Sequence, residues 1–237
     1  MNSEKDHLFT SPRPRFQFNQ EVANVFDNMI NRSVPHYSEI QQELAWLVDH
    51  LIQGNTTLYD LGCSTGATYH ALLPTLNQKK IQYIGIDNSD AMLTKVQHLP
   101  STNRPPKWLN HDLNSPFEFQ PSQIVILNLV LQFIQPKNKL ALLTDIRKSL
   151  LPSGHLLLVE KITPAHYDLF TNRYYQFKTH NGYSQDEIIN KQNALKDVLV
   201  PQSLADHHAQ LKEAGFTSTD VFFQWYNFAG ILASTGQ

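Results

Sequence analysis

An acid at a strand end, followed by a glycine-bounded loop, is the first chemical signal in the chain. Tyr59-Asp60-Leu61-Gly62-Cys63-Ser64-Thr65-Gly66 follows a short apolar run and opens onto a helical pattern. Glycine there lets the backbone approach a ligand closely, and a helix N-terminus favours a carboxylate or phosphate. Asp87 lies 21 residues beyond Gly66, at the end of the next apolar run. A carboxylate at that offset suits a ribose diol. The spacing is Gly-x-x-x-Gly, with Ser64 at the centre, rather than Gly-x-Gly-x-x-Gly. A pyrophosphate therefore has less support than an adenosine carrying an amino-acid tail. Asp112 follows a weak third run, where an acceptor suits the exocyclic amine of adenine, and Asn128 closes a fourth. Asp60, Asp87, Asp112 and Asn128 are thus expected at the carboxyl ends of strands, where open α/β sheets bind ligands.

The elements that must position these residues follow from periodicity. Residues 1–18 read as a flexible arm, and 19–237 as a single domain. Within it, 19–54 forms two amphipathic helices, 19–32 and 39–52, the second capped by Ser38. Strands are expected at 57–61, 81–86, 107–109, 123–128 and 155–160. Helices are expected from the glycine loop to Pro74, at 90–98 and at 140–151. Strands alternating with helices mean a parallel sheet covered on both faces. Residues 161–202 break the alternation and have the length of a lid or substrate insert, with a helical stretch at 186–199. A helix at 204–214 and two strands, 219–225 and 227–233, close the chain as an antiparallel hairpin.

Composition bounds the partners. The 237 residues carry 21 Asp+Glu against 19 Lys+Arg, with no long basic stripe, which argues against direct nucleic-acid binding. No 18-residue apolar window and no signal-like N-terminus are present, so no membrane segment is expected. The single cysteine, Cys63, fits a reducing cytoplasm. It sits where a loop needs a small residue, so a nucleophile is not expected. His207-His208 lacks further ligands at metal spacing, and no metal is expected. Aromatic residues at the hairpin, Phe222, Phe223, Trp225 and Phe228, point to core or to a homodimer contact.

Asp60-x-Gly62, Asp87, Asp112, Leu151-Pro152-Ser153-Gly154-His155 and Leu211-x-x-Ala214-Gly215-Phe216 together resemble the class I S-adenosylmethionine-dependent methyltransferases over about residues 40–233. The resemblance narrows through Phe26-x-x-Met29-Ile30-x-Arg32-Ser33-Val34-Pro35-x-Tyr37, Gly85-Ile86-Asp87-Asn88-Ser89, Leu131-Gln132-Phe133, Glu160-Lys161, Asn181-Gly182-Tyr183-Ser184 and Phe223-Gln224-x-x-Asn227-Phe228. These motifs are similar to those of the carboxy-S-adenosyl-L-methionine synthase family and span nearly the whole chain. The resemblance implies a Rossmann-like α/β fold: a mostly parallel seven-stranded sheet, a C-terminal antiparallel hairpin, N-terminal helices and a helical insert. It implies S-adenosylmethionine, or its carboxylated form, as ligand. It implies prephenate-dependent carboxylation of the methyl group, with a product that serves tRNA wobble-uridine modification. The family's ligand contacts fall on Tyr37, Gly62, Cys63, Ser64, Asp87, Asn88, Asp112, Leu113 and Asn128.

One contact departs from the pattern. The family's carboxylate-holding arginine is Gln192, in Asn190-Lys191-Gln192, and a neutral amide gives no bidentate charged contact. The family's Pro-Gly-Tyr is Pro35-His36-Tyr37, which adds bulk beside the pocket. Lys191 or Arg173 are candidates for a relocated cation. Three readings therefore stand: the synthase, an ordinary methyltransferase acting on an unidentified small acceptor, and a non-catalytic binder. No catalytic base is assigned; His36 and His180 are the rim candidates. Tyr167, Tyr174, Tyr175 and Tyr183 serve either an aromatic pocket or lid packing.

Overall fold

The computed structural model describes residues 6–236. Two helices come first, α1 (Gln20–Ser33) and α2 (Tyr37–Leu51). The Asn19 side chain caps α1 by accepting the Val22 N–H at 3.1 Å. Alternation follows: β1 (Thr56–Leu61), α3 (Ala67–Gln78), β2 (Ile81–Asp87), α4 (Asp90–Val96), β3 (Lys107–Asn110), β4 (Ser122–Asn128), α5 (Pro136–Ser149) and β5 (Leu150–Lys161). The insert holds α6 (Tyr167–His180) and α7 (Gln185–Leu195). Then come α8 (Leu204–Glu213), β6 (Ser218–Trp225) and β7 (Phe228–Ser234).

The strands form one seven-stranded sheet in the order β3-β2-β1-β4-β5-β7-β6. Its first five members pair in parallel, and β7 is antiparallel to both β5 and β6. Side chains of period two feed both faces. Tyr59, Leu61, Val125, Leu127, Leu156 and Leu158 meet α5 and α8 on one face. Leu58, Ile124, Ile126, Leu157 and Val159 meet α2 and α3 on the other. Strand order reverses between β1 and β4, and the crevice at such a reversal is the ligand position of open sheets.

Several boundaries differ from the sequence reading, each for a tertiary reason. Ser38 does not cap α2. The helix starts two residues earlier, at Tyr37, behind His36 in the left-handed region at φ 56°, and the Ser38 hydroxyl donates to Glu39. Helix α3 runs through Pro74 to Gln78, because Tyr69, Leu72 and Leu76 are all buried and hold it past the missing N–H. Pro152-Ser153-Gly154 lies inside β5 as an irregularity, with the register to β4 shifting between Ser122 and Ile124. Helix α7 stops at Leu195, short of 199. The alternation also conceals α6, whose only buried side chains are Tyr174 and Lys178.

The arm is packed where it is described; residues 1–5 lie outside the described residues. Phe9 and Phe16 are buried with Phe26, Met29 and Ala194. The Phe16 N–H donates to the Ala194 carbonyl at 2.8 Å, tying arm to insert. The hairpin aromatics are engaged within the chain. Phe222 covers Gly230, and Trp225 packs on Phe177, His36 and Tyr226.

Gly85 on β2 carries one testable packing constraint. A Cβ there would lie 2.5 Å from the Trp108 ring, which is wedged edge-on against Tyr69 and Tyr83. Gly85→Ala is expected to destabilise the fold by about 1–3 kcal/mol through overpacking, read by denaturant unfolding. A loss below measurement would mean Trp108 relaxes freely.

Candidate functional site

The loop between β1 and α3 is built on backbone that a side chain would obstruct. Gly62 has φ +73°, and a Cβ on it would lie 2.4 Å from Val130 Cγ2. The N–H groups of Gly62 and Cys63 both donate to the Ile86 carbonyl, at 2.7 and 2.9 Å. This lashes the loop to the end of β2. Ser64 is itself left-handed at φ 50°, and its N–H donates to Asp87 Oδ2 at 2.9 Å. The Ser89 N–H donates to Asp87 Oδ1, also at 2.9 Å. Asp87 is thereby clamped at both oxygens. Burial raises its pKa, and the N–H donors of Ser89, Ser64 and Asn88 oppose that rise.

A cavity of about 600 Å³ opens at this strand-order reversal. All ten residues expected at the ligand site line it: Tyr37, Gly62, Cys63, Ser64, Asp87, Asn88, Asp112, Leu113, Asn128 and Gln192. Asp112 lies in a turn it makes itself, its Oδ1 accepting from the Asn114 N–H at 3.0 Å. Asn128 Oδ1 and Asn227 Oδ1 are buried acceptors without a partner among the described residues, and both residues line the cavity. Such an orphan calls for a donor on a ligand. Phe16 and Phe18 of the arm join the lining, with Phe18 edge-on to Phe133 at 5.2 Å between centroids.

Other expectations are corrected. Asp60 is not in the lining. It is 1% exposed and accepts the Tyr83 hydroxyl behind the loop. Burial, with Asp87 nearby, pushes its pKa up to about 7. His36 and His180 do not reach the cavity. His36 turns outward toward Phe223 and Trp225 and faces Glu39 at 3.5 Å, so it adds no bulk to the pocket. Arg173 also lies elsewhere, over the Trp225 ring. Cys63 lines the site, but burial drives its thiol pKa well up, which suits packing rather than attack. Of the four insert tyrosines, Tyr167, Tyr174 and Tyr175 line the cavity, while Tyr183 is bonded to Asp6 at 2.7 Å.

Gln192 faces the cavity, and its Oε1 accepts the Tyr175 hydroxyl at 2.8 Å. Sequence reasoning overlooked what stands near it. Lys161 from β5 and Lys178 from α6 join Lys191 from α7 in the lining. The available signal was Lys161 at the end of an apolar strand, beside Glu160. Among the described residues, no cluster of His, Cys, Asp and Glu could hold a metal ion. No helix among them is long and apolar enough to cross a membrane.

Comparison with known proteins places this geometry. Residues 59–156 match a family model described as a methyltransferase domain. The carboxy-S-adenosyl-L-methionine synthase of Stutzerimonas stutzeri is 40% identical, over 98% of this chain and 99% of that protein. The protein of the same name from Desulfotalea psychrophila is 39% identical, over 98% of each chain. Among solved structures, a Haloferax volcanii putative methyltransferase complexed with its Trm112 activator superposes with a TM-score of 0.64 at 15% identity. It covers 96% of this chain and 100% of that one. Human N-acetylserotonin methyltransferase, in complex with S-adenosylmethionine, gives 0.61 at 14% identity, covering 92% of this chain and 56% of that one.

Proposed function

The chain belongs to the carboxy-S-adenosyl-L-methionine synthase family, and we propose that it carboxylates the methyl group of S-adenosylmethionine with prephenate as donor. Aromatisation of prephenate to phenylpyruvate expels carbon dioxide and the ring hydroxyl. Carbon dioxide takes the place of one methyl proton, and that proton leaves with the hydroxyl as water. The ligand's contribution is a sulfonium that acidifies the attached methyl. The protein's contribution is alignment and exclusion of water.

Each part of the ligand has a place. Asp87, held by two backbone N–H groups, takes the ribose hydroxyls. Asp112 takes the adenine amine, and Leu113 packs on the ring. The loop from Gly62 to Ser64, at the start of α3, receives the amino-acid carboxylate. Asn128 Oδ1, without a partner among the described residues, accepts from the ammonium. Phe16, Phe18 and Phe133 close the cavity against water. The observation carrying this reading is that ten residues named from sequence meet on one cavity. The same reading makes the product a substrate for tRNA wobble-uridine modification, and the protein a homodimer.

Gln192 favours a second reading, ordinary methyl transfer to a small acceptor. One experiment separates the two. The purified protein is denatured and its released ligand weighed by mass spectrometry, before and after incubation with S-adenosylmethionine and prephenate. Carboxylated ligand is expected. Unmodified S-adenosylmethionine alone, with no product after prephenate, would overturn the proposal. Light scattering on the native protein, before denaturation, reads the homodimer. Gln192→Arg is expected to tighten binding of the carboxylated ligand about tenfold, since a guanidinium offers a charge-assisted fork where the amide offers one dipole. Calorimetry reads that change, and an unaltered affinity would mean that position 192 does not meet the carboxylate.

A further inference from the structure

We infer that Lys161, Lys178 and Lys191 form a cationic wall in the cavity that receives the carboxylate groups of its ligands, the role left open by Gln192. This deepens the synthase reading and rests on it for the identity of those ligands.

The three ammonium groups are contributed by β5, α6 and α7, and two tyrosine rings link them. Lys161 Nζ lies 4.9 Å and Lys178 Nζ 5.1 Å from the centroid of Tyr174. Lys178 Nζ lies 5.8 Å and Lys191 Nζ 5.3 Å from the centroid of Tyr183. Lys178 and Lys191 are each only 5% exposed. Lys191 donates to Ser33 Oγ at 2.7 Å. Among the described residues, Lys161 and Lys178 donate no side-chain hydrogen bond, and none of the three joins an ion pair.

That arrangement is costly in the free protein. A buried ammonium loses much hydration energy and regains it through an opposite charge with good geometry. Aromatic faces return only part of it. Among the described residues, the carboxylate that acts on Lys178 and Lys191 is Asp6, which is engaged by the Tyr183 hydroxyl and the Leu8 N–H. Arg32 adds a fourth positive charge beside Tyr183, its guanidinium spent on the Asn181, Gly182 and Asp6 carbonyls. The imbalance registers in the lysines themselves. Burial lowers Lys161 and Lys191 to about 8, and burial with both neighbours drives Lys178 well down. An ordinary S-adenosylmethionine sulfonium would worsen this excess. A ligand carboxylate would relieve it, and a dicarboxylate donor such as prephenate brings two. The wall thus selects anionic substituents in the cavity, and an uncharged methyl acceptor would have no use for it.

The test compares affinities for carboxy-S-adenosylmethionine and S-adenosylmethionine, by calorimetry, in the ligand-stripped wild type and in Lys161→Met, Lys178→Met and Lys178→Arg. The wild type is expected to prefer the carboxylated ligand. Each methionine variant should lower that preference about 10- to 100-fold, while Lys178→Arg keeps most of it. Melting temperatures of the ligand-free methionine variants should hold or rise, because an unpaired buried charge is removed. A wild type without preference, an unchanged preference in both methionine variants, or a large fall in melting temperature would overturn the inference. Prephenate-dependent product formation by the wild type is read separately. Product with unchanged preference sinks the wall and leaves the synthase. No product with collapsed preference sinks the synthase and leaves a carboxylate site.

Discussion

Replacing Asp87 with alanine is expected to weaken S-adenosylmethionine binding about 10²- to 10⁴-fold. Two hydroxyls of a ribose diol donating to one ionised carboxylate are worth about 1.5–3 kcal/mol each. The clamp makes this more than a lost contact. The Ser64 and Ser89 N–H groups that hold the two oxygens would be left without their acceptor. Ser64, held at φ 50°, would then lose the bond that keeps it in a sparsely populated conformation. Gly62 and Cys63, tied to Ile86 one residue before Asp87, sit on the same support. Asp87→Asn should fall between, since one amide oxygen still accepts but the NH₂ faces an N–H donor. Isothermal titration reads the affinity, and circular dichroism on the same samples checks the fold. A loss below about fivefold in Asp87→Ala, with the fold intact, would remove Asp87 from the ribose.

The residues of the clamp, though not its hydrogen bonds, were legible in the sequence because they are local. Gly62 and Asp87 stand at strand ends that apolar runs announce, Gly66 precedes α3, and left-handed backbone dictates glycine at 62 and 66. The sheet was legible for the same reason: residues such as Ile124 to Leu127 are buried on both faces and read as unbroken apolar runs. What stayed hidden depends on partners distant in the chain. Phe16 and Phe18 sit among prolines and charges, and nothing nearby indicates that Ala194 and Phe133 will cover them. Helix α6 was hidden by its own buried face. A buried lysine at 178 breaks the apolar period that announces a helix. Asp60 shows the reverse error. Its position at a strand end resembles that of Asp87, but period-two alternation aims its side chain toward Tyr83 rather than the cavity.

Glu160→Ala is expected to destabilise the protein by about 3–6 kcal/mol and to unseat the ligand loop with it. Glu160 is 2% exposed at the end of β5. Its Oε1 accepts the N–H groups of Val130 and Leu131 at 2.9 and 2.7 Å, and its Oε2 accepts that of Gln132 at 2.9 Å. These three consecutive donors begin a 3₁₀ turn, Leu131–Phe133, and their carbonyl partners within the turn do not exist. Alanine would orphan all three in a buried place, at about 1–2 kcal/mol each, the lower part of the range for a lost buried partner. At about 2–4 °C per kcal/mol for a chain of this size, the melting temperature should fall by about 6–24 °C. The turn matters to the site because Val130 is the side chain packed against Gly62, and Leu129 before it is left-handed at φ 64°. Once the turn loosens, Gly62 and the Asn128 acceptor lose their common wall. Glu160→Gln isolates this effect. It preserves volume and one acceptor but opposes an NH₂ to a backbone N–H, so it should lose less stability than alanine. Its S-adenosylmethionine affinity should still drop measurably at temperatures where the fold is intact. A glutamine variant that melts like the wild type and binds like it would mean that the carboxylate is not what holds the turn.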